Sequence, residues 1–251
     1  VTNWADAMRR TAWILGLVLV IALPATAQAQ EISVSLGDGG SLTARSIQLI
    51  LLITVLSIAP GLVIMITCFP FLVTVLSILR QAIGLQQAPP NMLIVSLALF
   101  LTYFVMEPVF TTAWQNGIEP LLSEQIDTEA AFVRTMDPFR DFMAARIDPD
   151  TFTAMATLRP DADLDAPARD AQLSLLVPSF LLSEISRAFQ IGFVIFLPFL
   201  VIDLVVAAIL MSMGMMMVPP AVVALPFKLA FFVVADGWSL IAGALVRSYF
   251  E

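Results

Sequence analysis

Asp-Leu-Val-Val-Ala-Ala-Ile-Leu-Met-Ser-Met-Gly-Met-Met-Met-Val-Pro-Pro-Ala-Val-Val-Ala-Leu-Pro-Phe-Lys, residues 203–228, is the stretch whose reading decides the fold. Two apolar arms flank Met211, Met213, Met215, Met216 and Met217. A single acid, Asp203, and a single base, Lys228, close the ends. The midpoint of the stretch falls between Met215 and Met216, so antiparallel helical arms would place Asp203 and Lys228 at similar depth. Ionisable groups in apolar arms are costly unless paired or wet. The two are therefore candidates for an ion pair, within one hairpin or between neighbouring subunits; a proton relay is the alternative.

Working outward, the whole chain has the same character. Its 251 residues are 59% hydrophobic and only 13% charged, where soluble domains carry about a quarter charged residues. Mean hydropathy is +0.93. This composition belongs to a membrane or membrane-assembly protein. The net charge of −8 resides in residues 107–170, which hold 13 acids and 5 arginines. Elsewhere acids and bases cancel, so no basic footprint for nucleic acid exists. There is no histidine, and Cys68 is the one cysteine. That removes an ordinary zinc site, an intrachain disulfide and a histidine base. No cofactor is expected. Nothing resembles a nucleophile elbow or metal-ligand cluster, so an enzyme is not expected.

Residues 1–29 read as a secretory signal: Arg9 and Arg10, a twelve-residue apolar run from Ala12 to Leu23, Pro24, then Ala27-Gln28-Ala29. Cleavage is expected after Ala29. Residues 30–44 are a flexible lead-in containing Gly37-Asp38-Gly39-Gly40. Residues 45–106 form an N-terminal hydrophobic helical hairpin. Its first run, Ser46 to Leu79, exceeds the about 20 residues of one straight span. Helix breaks are expected at Pro60, Gly61 and Pro70. The next run, Met92 to Met106, is expected to stop at Glu107-Pro108.

Residues 107–172 form an acidic, periplasmic-side helical segment with a loop. Leu122, Ile126, Ala130, Val133 and Met136 have helical spacing. Asp137-Pro138 then predicts the cap of a second helix bearing Phe139, Phe142, Met143 and Ile147, ending at Asp148-Pro149-Asp150. Asp161, Asp163 and Asp165 alternate in a loop; the glycine and distal glutamate of a calcium loop are absent. Residues 173–251 form the C-terminal hydrophobic hairpin, opened again by Pro219 and Pro220 after the methionines. Glu184 and Arg187 sit at i and i+3, where opposite charges meet on a helix. Gly192 and Gly214 are sites for close helix approach or a kink. The fold class is thus all-α: long, broken, hydrophobic helices in hairpins, membrane-associated and assembling into a helical ring or funnel.

One family carries these features together. Val177-Pro178-Ser179-Phe180-Leu181-Leu182-Ser183-Glu184-Ile185-Ser186-Arg187-Ala188-Phe189-Gln190-Ile191-Gly192-Phe193, Phe196-Leu197-Pro198-Phe199-Leu200-Val201-Ile202-Asp203, the methionine run, Leu225-Pro226-Phe227-Lys228 and Asp236-Gly237-Trp238 resemble the FliP family. FliP is a flagellar type III export gate subunit related to the SctR subunit of injectisomes. The resemblance implies a homo-pentamer assembled with FliQ and FliR in the bacterial inner membrane at the flagellar basal body. FlhA and FlhB of the export apparatus and the assembly factor FliO are implied partners, and unfolded flagellar proteins the cargo. It also implies that the methionine loop is the channel constriction. The aspartate-rich 161–170 stretch departs from the family pattern.

The residue chemistry allows this and other readings. Methionine is unbranched and soft, so a ring of such side chains can repack around a passing chain. An apolar constriction also excludes water and ions. The same run would serve as an ordinary packed hairpin tip, or as thioether ligands for Cu(I). A small-solute or ion transporter is the competing function, since broken helices at mid-membrane suit one. Polar ligands for a solute are sparse.

Overall fold

A computed structural model describes residues 42–85, 89–160, 166–215 and 217–250. The signal segment with its Ala29 cleavage site, most of the lead-in, Met216 and the aspartates at 161–165 lie outside the described residues. The chain divides into residues 1–52 and 53–251; of the first unit only the opening turns of one helix are described.

Every described element is helical. In order they are α1 (Leu42–Met65), α2 (Phe69–Ile83), α3 (Asn91–Ala113), a π-helical turn (Trp114–Ile118), α4 (Glu119–Leu122), α5 (Thr128–Arg146), α6 (Pro149–Thr157), a 3₁₀ turn (Ala168–Asp170), α7 (Leu173–Ser212), α8 (Pro220–Val234) and α9 (Gly237–Arg247). Arg45–Met65, Asn91–Leu122 and Leu173–Ser212 are each long and apolar enough to cross a membrane. The pair α8–α9, bent by 61° at Ala235-Asp236, would make a fourth crossing. Asp236 takes the bend with a left-handed φ of 47°.

The breaks fall elsewhere than the prolines suggest. α1 passes through Pro60 and Gly61 and ends at Met65. The interruption is Ile66–Cys68, and Pro70 occupies the first turn of α2. An apolar setting offers a freed backbone group no substitute partner, so a helix forfeits one bond at a proline sooner than it opens a turn. Thr67 supplies what Pro60-Gly61 lacks. Its hydroxyl donates to Ile64 O at 2.8 Å and accepts from Phe69 N at 3.4 Å. By the same logic α3 does not stop at Glu107-Pro108. It runs across Met106 and through Pro108, so the expected boundary between hairpin and acidic segment falls inside a helix.

The acidic segment is also corrected. Asp137-Pro138 starts no helix: α5 is continuous through Pro138. Its cap is Asp127, which accepts from Ala130 N at 3.0 Å. Asp148 does not merely end a helix but caps α6, accepting from Thr151 N at 2.9 Å. The helical spacing from Leu122 to Met136 does not lie on one helix: Leu122 ends α4, Ile126 lies between helices, and Ala130, Val133 and Met136 are on α5, which buries Ala131, Phe139 and Met143.

The core is built around α2. Phe71, Leu72, Val75, Leu76, Leu79, Ala82 and Ile83 are buried along it. Their spacing covers a broad helical stripe, as a helix wedged between others requires. α2 packs most extensively on α7, with α3 next. Gly192 makes the α2–α7 approach possible: a Cβ there would lie 3.0 Å from Ile78 Cγ2 and 3.3 Å from its Cβ. By contrast, residues 45–65 of α1 and the outer faces of α7 and α8 leave large apolar side chains uncovered. Such contiguous apolar surface needs lipid or other protein to cover it.

Candidate functional site

The methionine tip is shaped by backbone bonds. α7 ends at Ser212, and Gly214 enters the left-handed region at φ 74°. Gly214 N donates to Met211 O at 3.0 Å, and Met215 N donates to Leu210 O at 2.9 Å. These two bonds make a Schellman motif, the glycine-dependent closure of a helix C-terminus. Pro219 then precedes α8 and Pro220 takes its first turn, where a missing N–H costs nothing. Pro219 and Pro220 thus mark the start of a helix, and the described residues between Ser212 and Pro220 are non-helical. Met211, Met213 and Met215 are exposed, and Met217 is 98% exposed. Below the tip Val206, Leu210 and Ala224 form a small core joining the arms, with Ile202, Val218 and Val223 against it.

At the base of the hairpin, Lys228 of α8 meets Asp203 of α7. Lys228 Nζ donates to Asp203 Oδ2 at 2.6 Å. It donates also to Ala82 O at 3.1 Å, a carbonyl of the last turn of α2. That turn carries unpaired carbonyls and the negative end of the helix dipole, so a cation suits it. Lys228 is 6% exposed. Its charge is therefore compensated by a carboxylate and a helix end together, and it ties three helices at one point. Gly84, at φ 89°, turns the chain away beside it. Asp203 Oδ1 is buried with no hydrogen-bond partner among the described residues.

A second charged cluster lies on α7. Glu184 is completely buried. Arg187, its helical neighbour, approaches only to 3.6 Å and is partly exposed. The closer partners come from far along the chain. Arg146, at the end of α5, donates through Nε to Glu184 Oε1 at 3.1 Å. The Tyr249 hydroxyl donates to Glu184 Oε2. Arg146 also donates to Ser248 O at 2.8 Å, and its guanidinium lies 4.0 Å from the Tyr249 ring centroid. Tyr249 in turn stacks on Phe142 and meets Phe71 edge-on. A buried carboxylate needs such multiple donors, because desolvation outweighs any single contact. This cluster binds α5, α7 and the segment after α9 together.

Sequence reading placed Asp203, Lys228, Glu184 and Arg187 as candidates but missed Arg146 and Tyr249. Both lie too far from Glu184 for periodicity to pair them. A basic residue ending an amphipathic helix and a tyrosine after an apolar run are signals only in hindsight.

Comparison with known proteins places these features in one family. The family model described as "FliP family" matches residues 52–245. The chain is 48% identical over 250 residues to the flagellar biosynthetic protein FliP of Caulobacter vibrioides, covering 98% of this chain and 93% of that protein. It is 46% identical over 241 residues to FliP of Agrobacterium fabrum, covering 94% and 98%. Across a wider distance it is 43% identical over 208 residues to FliP of Bacillus subtilis, covering 82% and 93%.

Proposed function

Because the chain belongs to the FliP family, we propose that it is a core subunit of the flagellar type III protein export gate, lining the channel through which unfolded flagellar proteins leave the cytoplasm. Several copies, five by family resemblance, surround one axis with FliQ and FliR in the bacterial inner membrane. FlhA, FlhB and FliO act with that assembly. The acidic segment lies on the periplasmic side and the methionine tips meet at the axis as a gasket. One copy alone has no pore to close.

The observation that carries this reading is the separation of labour at the tip. Backbone bonds at Leu210, Met211, Gly214 and Met215 fix the turn, and the side chains of Met211, Met213, Met215 and Met217 are exposed. Exposed, flexible thioethers on a fixed turn can repack around varied cargo while keeping the turn in place. An apolar ring of this kind also holds back water and ions. The uncovered apolar faces of α7 and α8 supply surface for neighbouring copies or lipid. The Asp203–Lys228 pair sets the register of the two arms and hence the height of the tip.

Deleting residues 215–217, or replacing Met215 and Met217 with alanine, tests the gasket. The complex should still assemble, judged by co-purification as a ring, while membrane vesicles containing it gain ion conductance. Background conductance in an assembled variant complex would sink the gasket role.

A further inference from the structure

Away from the hairpin, the acidic segment carries a polar cavity of about 460 Å³. One wall is the π-helical turn after α3, which contributes Gln115 and Asn116. π-turns are rare, are less regular than the helix they interrupt, and occur often at functional sites. This one is pressed onto α5 at Gly117, where a Cβ would sit 2.8 Å from Thr135 N, so the close approach requires glycine. The facing wall is α5, with Arg134, Asp137 and Asp141. The third is Arg169 of the 3₁₀ turn.

The third wall is fixed in place. Arg169 pairs with Asp141. Arg140 donates to Arg169 O at 3.0 Å and to Ala171 O at 2.8 Å. The 3₁₀ turn is thus held to α5 by one ion pair and two backbone contacts. The side chains of Gln115, Asn116, Arg134 and Asp137 make no hydrogen bond or ion pair among the described residues. The cavity therefore combines two open carboxamides and one open cation with two carboxylates, Asp137 and Asp141, that share the single guanidinium of Arg169 and leave one negative charge uncompensated.

We propose that this cavity docks an extended segment of another protein carrying an acidic and a basic residue two positions apart. Small-molecule pockets are lined mainly by apolar groups, whereas this lining is polar. Exchangeable protein interfaces carry many hydrogen bonds and a polar rim. Carboxamides match the donor and acceptor of a peptide backbone. Arg134 and Asp137 stand one helical turn apart, about 5–6 Å between Cβ atoms. Side chains two apart on an extended segment point the same way with a repeat of about 6.6 Å. An acid-x-base segment thus presents both charges to both partners at once, while Gln115 and Asn116 engage its backbone.

The test places a photo-crosslinking amino acid at Asn116 of the full chain in native membranes, with the exposed Phe132 of α5 as the control position. The expected result is one discrete adduct with a different protein, whose crosslinked peptide contains the acid-x-base pair. Its yield should fall at least fivefold in Arg134→Glu and in Asp137→Arg. It should recover when the double variant Arg134→Glu with Asp137→Arg meets a partner whose two charges are exchanged. The neutral pair Arg134→Gln and Asp137→Asn, with an unchanged proteolysis pattern, separates lost docking from lost folding and should also lower the yield. An adduct no stronger than at Phe132, one made only with a second copy of this chain, or one indifferent to all four substitutions would overturn the assignment. Ion conductance of the assembled complex should be unchanged in these variants, so a failed docking test leaves the gasket reading standing.

Discussion

Removing one oxygen atom, in Tyr249→Phe, isolates the energetics of the buried Glu184 cluster. The phenylalanine ring keeps the stack on Phe142, the edge contact with Phe71 and the guanidinium of Arg146 over its face. Only the hydroxyl donor to Glu184 Oε2 disappears. A hydrogen bond to a charged group contributes about 1.5–3 kcal/mol, so the variant should lose that much stability. Glu184→Gln keeps the shape and removes the charge. It leaves Arg146, whose Nη2 already has no partner, without a close counter-ion. Breaking a buried pair in that way costs about 3–5 kcal/mol. In the Glu184→Gln background the hydroxyl bond becomes neutral, so Tyr249→Phe should then cost only about 0.5–1.5 kcal/mol. The difference is a coupling energy of about 1–2 kcal/mol between residues 249 and 184. Titrating the four proteins with denaturing detergent in mixed micelles, read by far-ultraviolet circular dichroism, measures it. A Tyr249→Phe variant within about 0.5 kcal/mol of the parent would refute the cluster's role. So would strict additivity of the two substitutions.

The other tests address charge elsewhere. Exchanging the charges by Asp203→Lys with Lys228→Asp should recover only part of what either neutralisation loses, because an aspartate cannot donate to Ala82 O. The shortfall should be about 1 kcal/mol, one net hydrogen bond, in the same titration; full recovery would leave the α2 contact without effect, and no recovery would refute simple charge pairing. In the acidic segment, the Thr151 hydroxyl and N–H hold the Asp148 carboxyl below its ordinary pKa of 3.8. A depressed folded-state value means that the cap stabilises α6 above pH 3.8 and is lost as pH falls through the lower folded value. Carboxyl-carbon nuclear magnetic resonance of Asp148 should therefore give a midpoint under 3.8, moving up towards it in Thr151→Val; a parent midpoint at or above 3.8 would contradict the cap.

Particular residues show where sequence reading succeeds and where it stops. The helical class follows from long apolar runs, and Asp203 with Lys228 stand out because nothing else in their arms is charged. Antiparallel arms about a methionine turn bring them within one hydrogen bond. Proline misled at Pro60, Pro108 and Pro138, each of which lies inside a helix. Propensity in water treats proline as a stop, but a helix ends where the freed groups find new partners. Thr67 offers such partners after α1, and Gly214 does so after α7. Glu184 shows a different limit. Its visible neighbour Arg187 is the weaker contact, because the i,i+3 rule ranks partners on one helix only. Arg146 and Tyr249 reach it through the packing of α2, α5 and α7, which no local spacing encodes. The π-turn at Trp114–Ile118 is equally invisible in the sequence, as is the approach of its Gly117 to Thr135 on another helix.

The Glu184 cluster also imposes an order of events during synthesis. Its members are made at residues 146, 184 and 249, and 65 residues separate the carboxylate from its hydroxyl partner. At about 5–20 residues per second, the ribosome needs several seconds to cover that interval. Throughout it, the carboxylate has Arg146 and Arg187 within reach but lacks its hydroxyl donor. The last contact of the cluster thus closes only after α8 and α9 have been made.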